Sequence, residues 1–227
     1  MRETKAEAEV GKQAAVKAAL EGEAMARTEK AAAEAKAAEE AKEAAALSKV
    51  CDIMISYTQH NKNAKLLALG IYSNLKEKGY KVWLDVKVDD KSEAAMEKAV
   101  TESKFIIAIL SDGDGKQGNA YFERPFCLKE LRWAKKAGIF IQPVLTNEDK
   151  KRINAFLSGG TYNDGTRFGG APDDLRDLGS VDMVDLDASD DDYFEVGLKK
   201  IIKKARANGV EIDDHLNTPE SPLIKPG

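Results

Sequence analysis

The chain has 227 residues, 43% of them hydrophobic, and a formal net charge of −4; that is room for one ordinary domain with a core, plus an extension. Acidic and basic residues are interspersed, so the chain lacks the basic field that phosphate-backbone binding needs, and this counts against nucleic acid as a primary partner. No apolar run reaches the roughly 18 residues of a membrane span, and the N-terminus has no apolar secretory core, so no membrane association and a cytoplasmic location are expected.

Residues 1–48 are dominated by Ala, Glu and Lys, with no proline and no aromatic residue, which is the composition of a long solvated helix. Pairs such as Glu23 with Arg27 and Glu39 with Lys42 would each add roughly 0.2 to 0.5 kcal/mol. The larger apolar residues (Val10, Val16, Leu20, Met25 and Leu47) do not keep a heptad, so a helical spacer is favoured over a coiled coil. After Val50 short β-rich runs alternate with amphipathic helices, the pattern of a parallel sheet. Strands are expected at Asp52 to Tyr57, Lys81 to Asp85, Phe105 to Ser111, Ile139 to Val144 and Met183 to Asp187, most of them continuous apolar runs as a doubly covered sheet requires.

Between the first two strands, Ala64, Leu67, Ala68, Ile71 and Leu75 share a helical face, with Gly79 placed to end the helix. Further helices are expected over Glu93 to Thr101, over Pro125 to Lys136 with Gly138 as its stop, and from about Asp191 to Asn208 before Gly209. In the last, Phe194, Leu198, Ile201, Ile202 and Ala205 make the core stripe and the lysines face water. Residues 146–182, rich in glycine, read as a mobile surface loop. Residues 210–227 read as a flexible tail with three prolines near its end.

Alternating α/β folds place their sites just beyond the carboxyl ends of the strands. Ser56 and Ser111 stand where a phosphate-accepting receiver domain needs acidic residues. The run Asp112 to Gly118 lacks the full P-loop spacing and reads as a turn. Cys51 and Cys127 show no metal-type spacing, and neither His60 nor His215 lies in a Cys/His signature; reduced structural thiols are expected, with no metal site and no bound cofactor. The acidic run Asp185 to Asp192 lacks the central glycine of a calcium loop and suits helix capping instead.

Four segments in order carry a family resemblance. Asp52-Ile-Met-Ile-Ser-Tyr57 resembles the first box of TIR domains, the signalling modules of Toll receptors, interleukin-1 receptors and plant immune receptors. Gly79-Tyr-Lys-Val-Trp-Leu-Asp85 resembles the strand entering the second box, Phe105 to Ser111 the third strand, and Phe126-Cys-Leu-Lys-Glu-Leu131 the C-x-x-E-L segment of NAD-cleaving members. The resemblance spans residues 51 to about 209. It implies a flavodoxin-like, five-stranded parallel sheet with helices on both faces, and partners that are other TIR domains, including further copies of this chain. The loop Val86 to Ser92 is the segment through which family members commonly contact neighbours.

Some members of the family cleave the nicotinamide glycosidic bond of NAD; others act only by assembly. The resemblance implies a catalytic role for Glu130, NAD as substrate, and Ser56, Tyr57, Asp85, Phe126 and Trp133 as residues beside it. A carboxylate suits that chemistry because loss of nicotinamide leaves an oxocarbenium-like ribose. Phe126 and Trp133 lie one turn either side of Glu130 and read equally as a wall for the nicotinamide or as core packing. The arginines that follow the first box in some active members are replaced by Thr58-Gln59-His60; Lys62 and Lys87 are the cations that could substitute, with solvated side chains the favoured reading for both. The alternative function is a non-catalytic adaptor acting by TIR–TIR assembly.

Overall fold

A computed structural model describes residues 51–87, 92–161, 165, 167–213 and 215–216, with a few positions between 27 and 36. The chain divides into two units, Met1–Ser48 and Lys49–Gly227. In the first, Arg27, Thr28, Lys30, Ala31, Glu34 and Lys36 are helical, and Lys30 Nζ lies 3.8 Å from Glu34. The rest of the expected spacer, with the pairs Glu23–Arg27 and Glu39–Lys42, lies outside the described residues.

The second unit runs β1 (Cys51–Tyr57), α1 (Lys62–Glu77), β2 (Val82–Trp83), α2 (Glu93–Thr101), β3 (Ser103–Ile109), α3 (Pro125–Lys136), β4 (Phe140–Thr146), α4 (Ile153–Ser158), β5 (Gly160–Thr161), β6 (Arg167–Phe168), β7 (Val184–Leu186) and α5 (Asp191–Ala207). Five strands form one sheet in the order β2-β1-β3-β4-β7, every pair parallel. This is the doubly wound order with its topological switch between β1 and β3. The helices start where local chemistry directs. Asn61 Oδ1 accepts the Ala64 N–H at 2.8 Å, Ser92 Oγ accepts that of Ala95 at 3.2 Å, Asp190 Oδ1 accepts that of Tyr193 at 2.9 Å, and Pro125 opens α3.

Alternation along the strands divides the core between two layers. Ile53, Ile55 and Tyr57 of β1 face α1 and α5, packing with Leu67, Ile71, Phe194 and Leu198. Met54 points the other way, with Ile106 and Ala108 of β3, toward Val100 of α2 and Leu131 and Ala134 of α3. Ser56 shares the parity of Met54, and this directs its hydroxyl toward α3.

Three expectations change. The second strand stops at Trp83 rather than Asp85, because Asp85–Lys87 turn into a short 3-10 helix, with the Lys87 N–H on the Leu84 carbonyl at 2.9 Å. The stretch 146–182 is not one irregular loop. It contains α4, the antiparallel β5–β6 pair and a 3-10 helix over Asp173–Ser180, and it places Phe156, Leu175 and Leu178 in the second core. Within the flexible tail expected over 210–227, Ile212 and Leu216 are buried in the first core. Tyr80 Oη donates to the Asp213 carbonyl at 2.9 Å and accepts the His215 N–H at 3.1 Å, with the two rings edge to face at 4.8 Å. Residues 217–227, like Val88 to Lys91 of the contact loop, lie outside the described residues.

Candidate active site

Beyond the carboxyl ends of β1 and β2 the structure opens a cleft of about 270 Å³, on the edge where doubly wound sheets place their ligands. Tyr57 to His60 enter it from the end of β1, Asp85 from the turn after β2 and Met96 from α2. The first turns of α3 supply Arg124, Phe126, Cys127 and Glu130. The segment after β3 is folded over so that α3 begins at this edge and runs back along the sheet. Thr58 Oγ1 donates to the Asn119 carbonyl at 2.9 Å, the Tyr121 N–H donates to the Ser111 carbonyl at 2.9 Å, and the carboxylate of Glu123 accepts the N–H groups of Gly118, Ala120 and Gly169 at 2.9, 3.2 and 2.9 Å.

Glu130 occupies a core position of α3. Cys127, Glu130, Leu131 and Ala134 form the inward stripe, so this carboxyl replaces an apolar side chain on the buried face and is only 7% exposed. Ser56 Oγ donates to Glu130 Oε2 at 2.5 Å. Tyr121 Oη lies 2.6 Å from Ser56 Oγ; since the single serine proton goes to the carboxylate, the tyrosine is the donor of that second bond. A buried chain of hydroxyls therefore ends on one oxygen of Glu130.

Burial pushes the Glu130 carboxyl up from 4.5 to about 8; the Ser56 hydrogen bond opposes this, and the negative charge of Asp85 adds to it. Burial, followed by the field of Asp85, also raises the Tyr57 hydroxyl, which donates to Asp85 Oδ1 at 3.2 Å. Gln59 Nε2 donates to the other Asp85 oxygen. The Cys127 thiol is raised by burial and then by Glu130, and it donates to the Tyr57 carbonyl at 3.6 Å. A thiol held protonated in this way is a packing group and a weak nucleophile.

Of the residues expected at the site, Ser56, Tyr57, Asp85, Phe126 and Glu130 are brought together. Phe126 is 45% exposed at the mouth, with Lys129 Nζ 5.4 Å from its ring centroid. Trp133 is not among them. It packs half-buried against the second core, three residues and roughly 4.5 Å of helical rise past Glu130, on the side away from the mouth. The lysines considered as cations are also elsewhere. Lys87 Nζ lies 5.9 Å from the ring of Tyr72, and Lys62 contributes its backbone N–H to Asp114 at 2.7 Å. Sequence reasoning missed Arg124 and Tyr121. The signal for Arg124 was available, because a residue just before a helix-opening proline stands at the edge where α3 starts; Tyr121 reaches Ser56 only through the fold.

A second cleft of about 230 Å³ lies between α1 and the ends of β4 and β7. Its carboxylate, Asp187, is held below the ordinary range by hydrogen bonds from Ser189, so it carries no group tuned for acid or base work at neutral pH. Among the described residues no group of three or more His, Cys, Asp or Glu is arranged to hold a metal ion, and no helix is long and apolar enough to cross a membrane.

No curated protein matches the chain. Among solved structures, the TIR domains of the activated Roq1 resistosome directly recognising the pathogen effector XopQ align with a TM-score of 0.43 and 18% identity, over 67% of this chain and 98% of that one. The family model described as TIR domain matches residues 53–196. More than half of the chain lies within that match, and the chain belongs to the TIR domain family.

Proposed function

We propose that this TIR domain hydrolyses NAD at the nicotinamide glycosidic bond, with Glu130 as the catalytic carboxylate, and that it does so in intracellular signalling or defence when assembled with other TIR domains. The observation that carries this reading is a glutamate on the buried face of α3, held by Ser56 at 2.5 Å and opening into a cleft. Buried carboxyls with strongly raised affinity for their proton concentrate at functional sites.

The chemistry follows from the charges. The bond between the nicotinamide nitrogen and ribose C1′ breaks, the electron pair leaves with neutral nicotinamide, and the ribose carries a developing positive charge. A carboxylate beside C1′ stabilises that charge most in the transition state, where the charge is largest, and does so strongly because the site is poorly solvated. Water then bonds to C1′ and loses a proton, giving ADP-ribose. The carboxyl resists ionisation in the empty cleft, and a cationic pyridinium lowers that resistance by supplying the missing counter-charge. Phe126 at the mouth offers a ring face for the nicotinamide. Ser56, with Tyr121 behind it, aims one oxygen of Glu130 without touching substrate.

The test is nicotinamide release from NAD by concentrated full-length protein, compared with Glu130→Ala and Glu130→Gln. Both substitutions are expected to reduce turnover by about 10² to 10⁴ while circular dichroism remains native. Equal rates in the wild type and Glu130→Gln would remove Glu130 from the chemistry. A wild type that never cleaves NAD, even when assembled, would favour a purely scaffolding role.

A further inference from the structure

The arginines of the described domain are mostly paired: Arg132 with Asp174 at 2.7 Å, Arg152 with Asp112 at 2.7 Å and Arg176 with Asp173 at 3.0 Å. Arg124 differs. It is half-buried and lines the cleft, and its guanidinium makes no hydrogen bond or ion pair among the described residues. Five donors held partly out of water without an acceptor are a standing demand for an anion. The cleft also separates its charges. Glu130 and Asp85 provide the acidic wall, while Arg124 sits six residues before Glu130, roughly 9 Å of helical rise toward the mouth. Arg124 is in addition the N-cap residue of α3, with no side-chain cap on that helix, so the helix dipole favours negative charge on the same side.

We propose that Arg124 is the phosphate-binding residue of this cleft, fixing the 5′-phosphate of the nicotinamide ribose at the mouth while the ring and C1′ reach Glu130. The inference rests on the NAD reading and deepens it, because it selects the class of ligand: a nicotinamide nucleotide that carries a phosphate, with the bare nucleoside as a poor substrate. Nicotinamide nucleotides match the charge pattern, with a cationic ring for the carboxylates and an anionic phosphate for the guanidinium. A cleft of about 270 Å³ accommodates the nicotinamide and its ribose and leaves the remainder of a dinucleotide outside. The planar fork of arginine suits two phosphate oxygens at once, which a lysine ammonium cannot reproduce.

Two measurements on the full chain test this. The first is equilibrium binding of ADP-ribose, which retains the phosphates and lacks the scissile bond. The wild type is expected to bind it more weakly as salt is raised, and Arg124→Ala to bind it at least ~10-fold more weakly than wild type at low salt, with Arg124→Lys intermediate. The second is steady-state cleavage of NAD, nicotinamide mononucleotide and nicotinamide riboside. Arg124→Ala is expected to raise KM for the two phosphorylated substrates at least ~10-fold with little change in kcat, and to leave the riboside unaffected. Equal ADP-ribose binding by wild type and Arg124→Ala, or binding by neither, overturns the proposal, as does an equal rise in KM for all three substrates. Binding of ADP-ribose through Arg124 with no nicotinamide release at all would uphold the phosphate site and refute the hydrolase instead.

Discussion

Replacing Glu130 by glutamine should make the protein more stable at alkaline pH even as it removes activity. The carboxyl has an ordinary value of 4.5 and is pushed up to about 8 in the folded chain, chiefly by burial. Below pH 4.5 the group is protonated in both folded and unfolded chains, and no penalty exists. Between pH 4.5 and 8 the unfolded chain releases its proton while the folded chain retains it, so stability is lost steadily as pH rises. Above about 8 the folded chain carries a buried charge and the loss is complete. A difference of that size corresponds to at most roughly 5 kcal/mol, of which local rearrangement recovers part, and this is comparable to the whole stability of many domains. Glutamine keeps the oxygen that accepts from Ser56 Oγ at 2.5 Å and has nothing to ionise. Urea unfolding of wild type and Glu130→Gln at pH 5 and pH 8.5 measures the effect; the variant should gain several kcal/mol over wild type between the two conditions. Parallel pH dependence in the two proteins would refute a buried, proton-holding Glu130.

Five further outcomes can be measured. The kcat/KM for NAD cleavage should rise with pH toward about 8, where free Glu130 ionises, and a flat profile from pH 5 to 9 would contradict a catalytic carboxylate. Tyr121→Phe, which deletes the donor 2.6 Å from Ser56 Oγ, should cost about 1 kcal/mol in urea unfolding and reduce NAD turnover less than Glu130→Gln does. Gly197→Ala should destabilise the domain by roughly 1 to 3 kcal/mol in thermal melts, because the new Cβ would overlap the side chain of Leu186, itself buried against α5. Deleting residues 1–48 should leave a cooperative thermal transition, and light scattering of the full chain should show association that grows with concentration; monomers at every concentration, with and without NAD, would contradict assembly.

The fold was legible where each layer writes its own period. The buried strands read as apolar runs, and the helices Glu93–Thr101 and Pro125–Lys136 have the bounds expected of them, the second beginning at Pro125 and ending before Gly138. The second strand was overextended because Leu84 and Asp85 continue its pattern while the backbone has already turned, and a 3-10 turn has no hydrophobic period of its own. Residues 146–182 concealed Phe156, Leu175 and Leu178 among glycines, since short elements bury single side chains without repeating. At the site, Glu130 was found through motif position, although a glutamate between Cys127 and Leu131 on the stripe that ends in Ala134 is itself a sign of a buried acid. For Trp133 the helix face alone left wall and core packing equally open, and the structure has it against the second core.

The carboxylate of Glu123 accepts N–H groups from Gly118, Ala120 and Gly169, and so ties two segments far apart in sequence to the residue immediately before Arg124. In hydrogen exchange these three amides should then report a single opening, with matched protection despite their separation along the chain. Breaking that one side chain would release them together, and with them the rim of the cleft, so that the wall presented to a ligand and the folding of the 169 segment become one cooperative event.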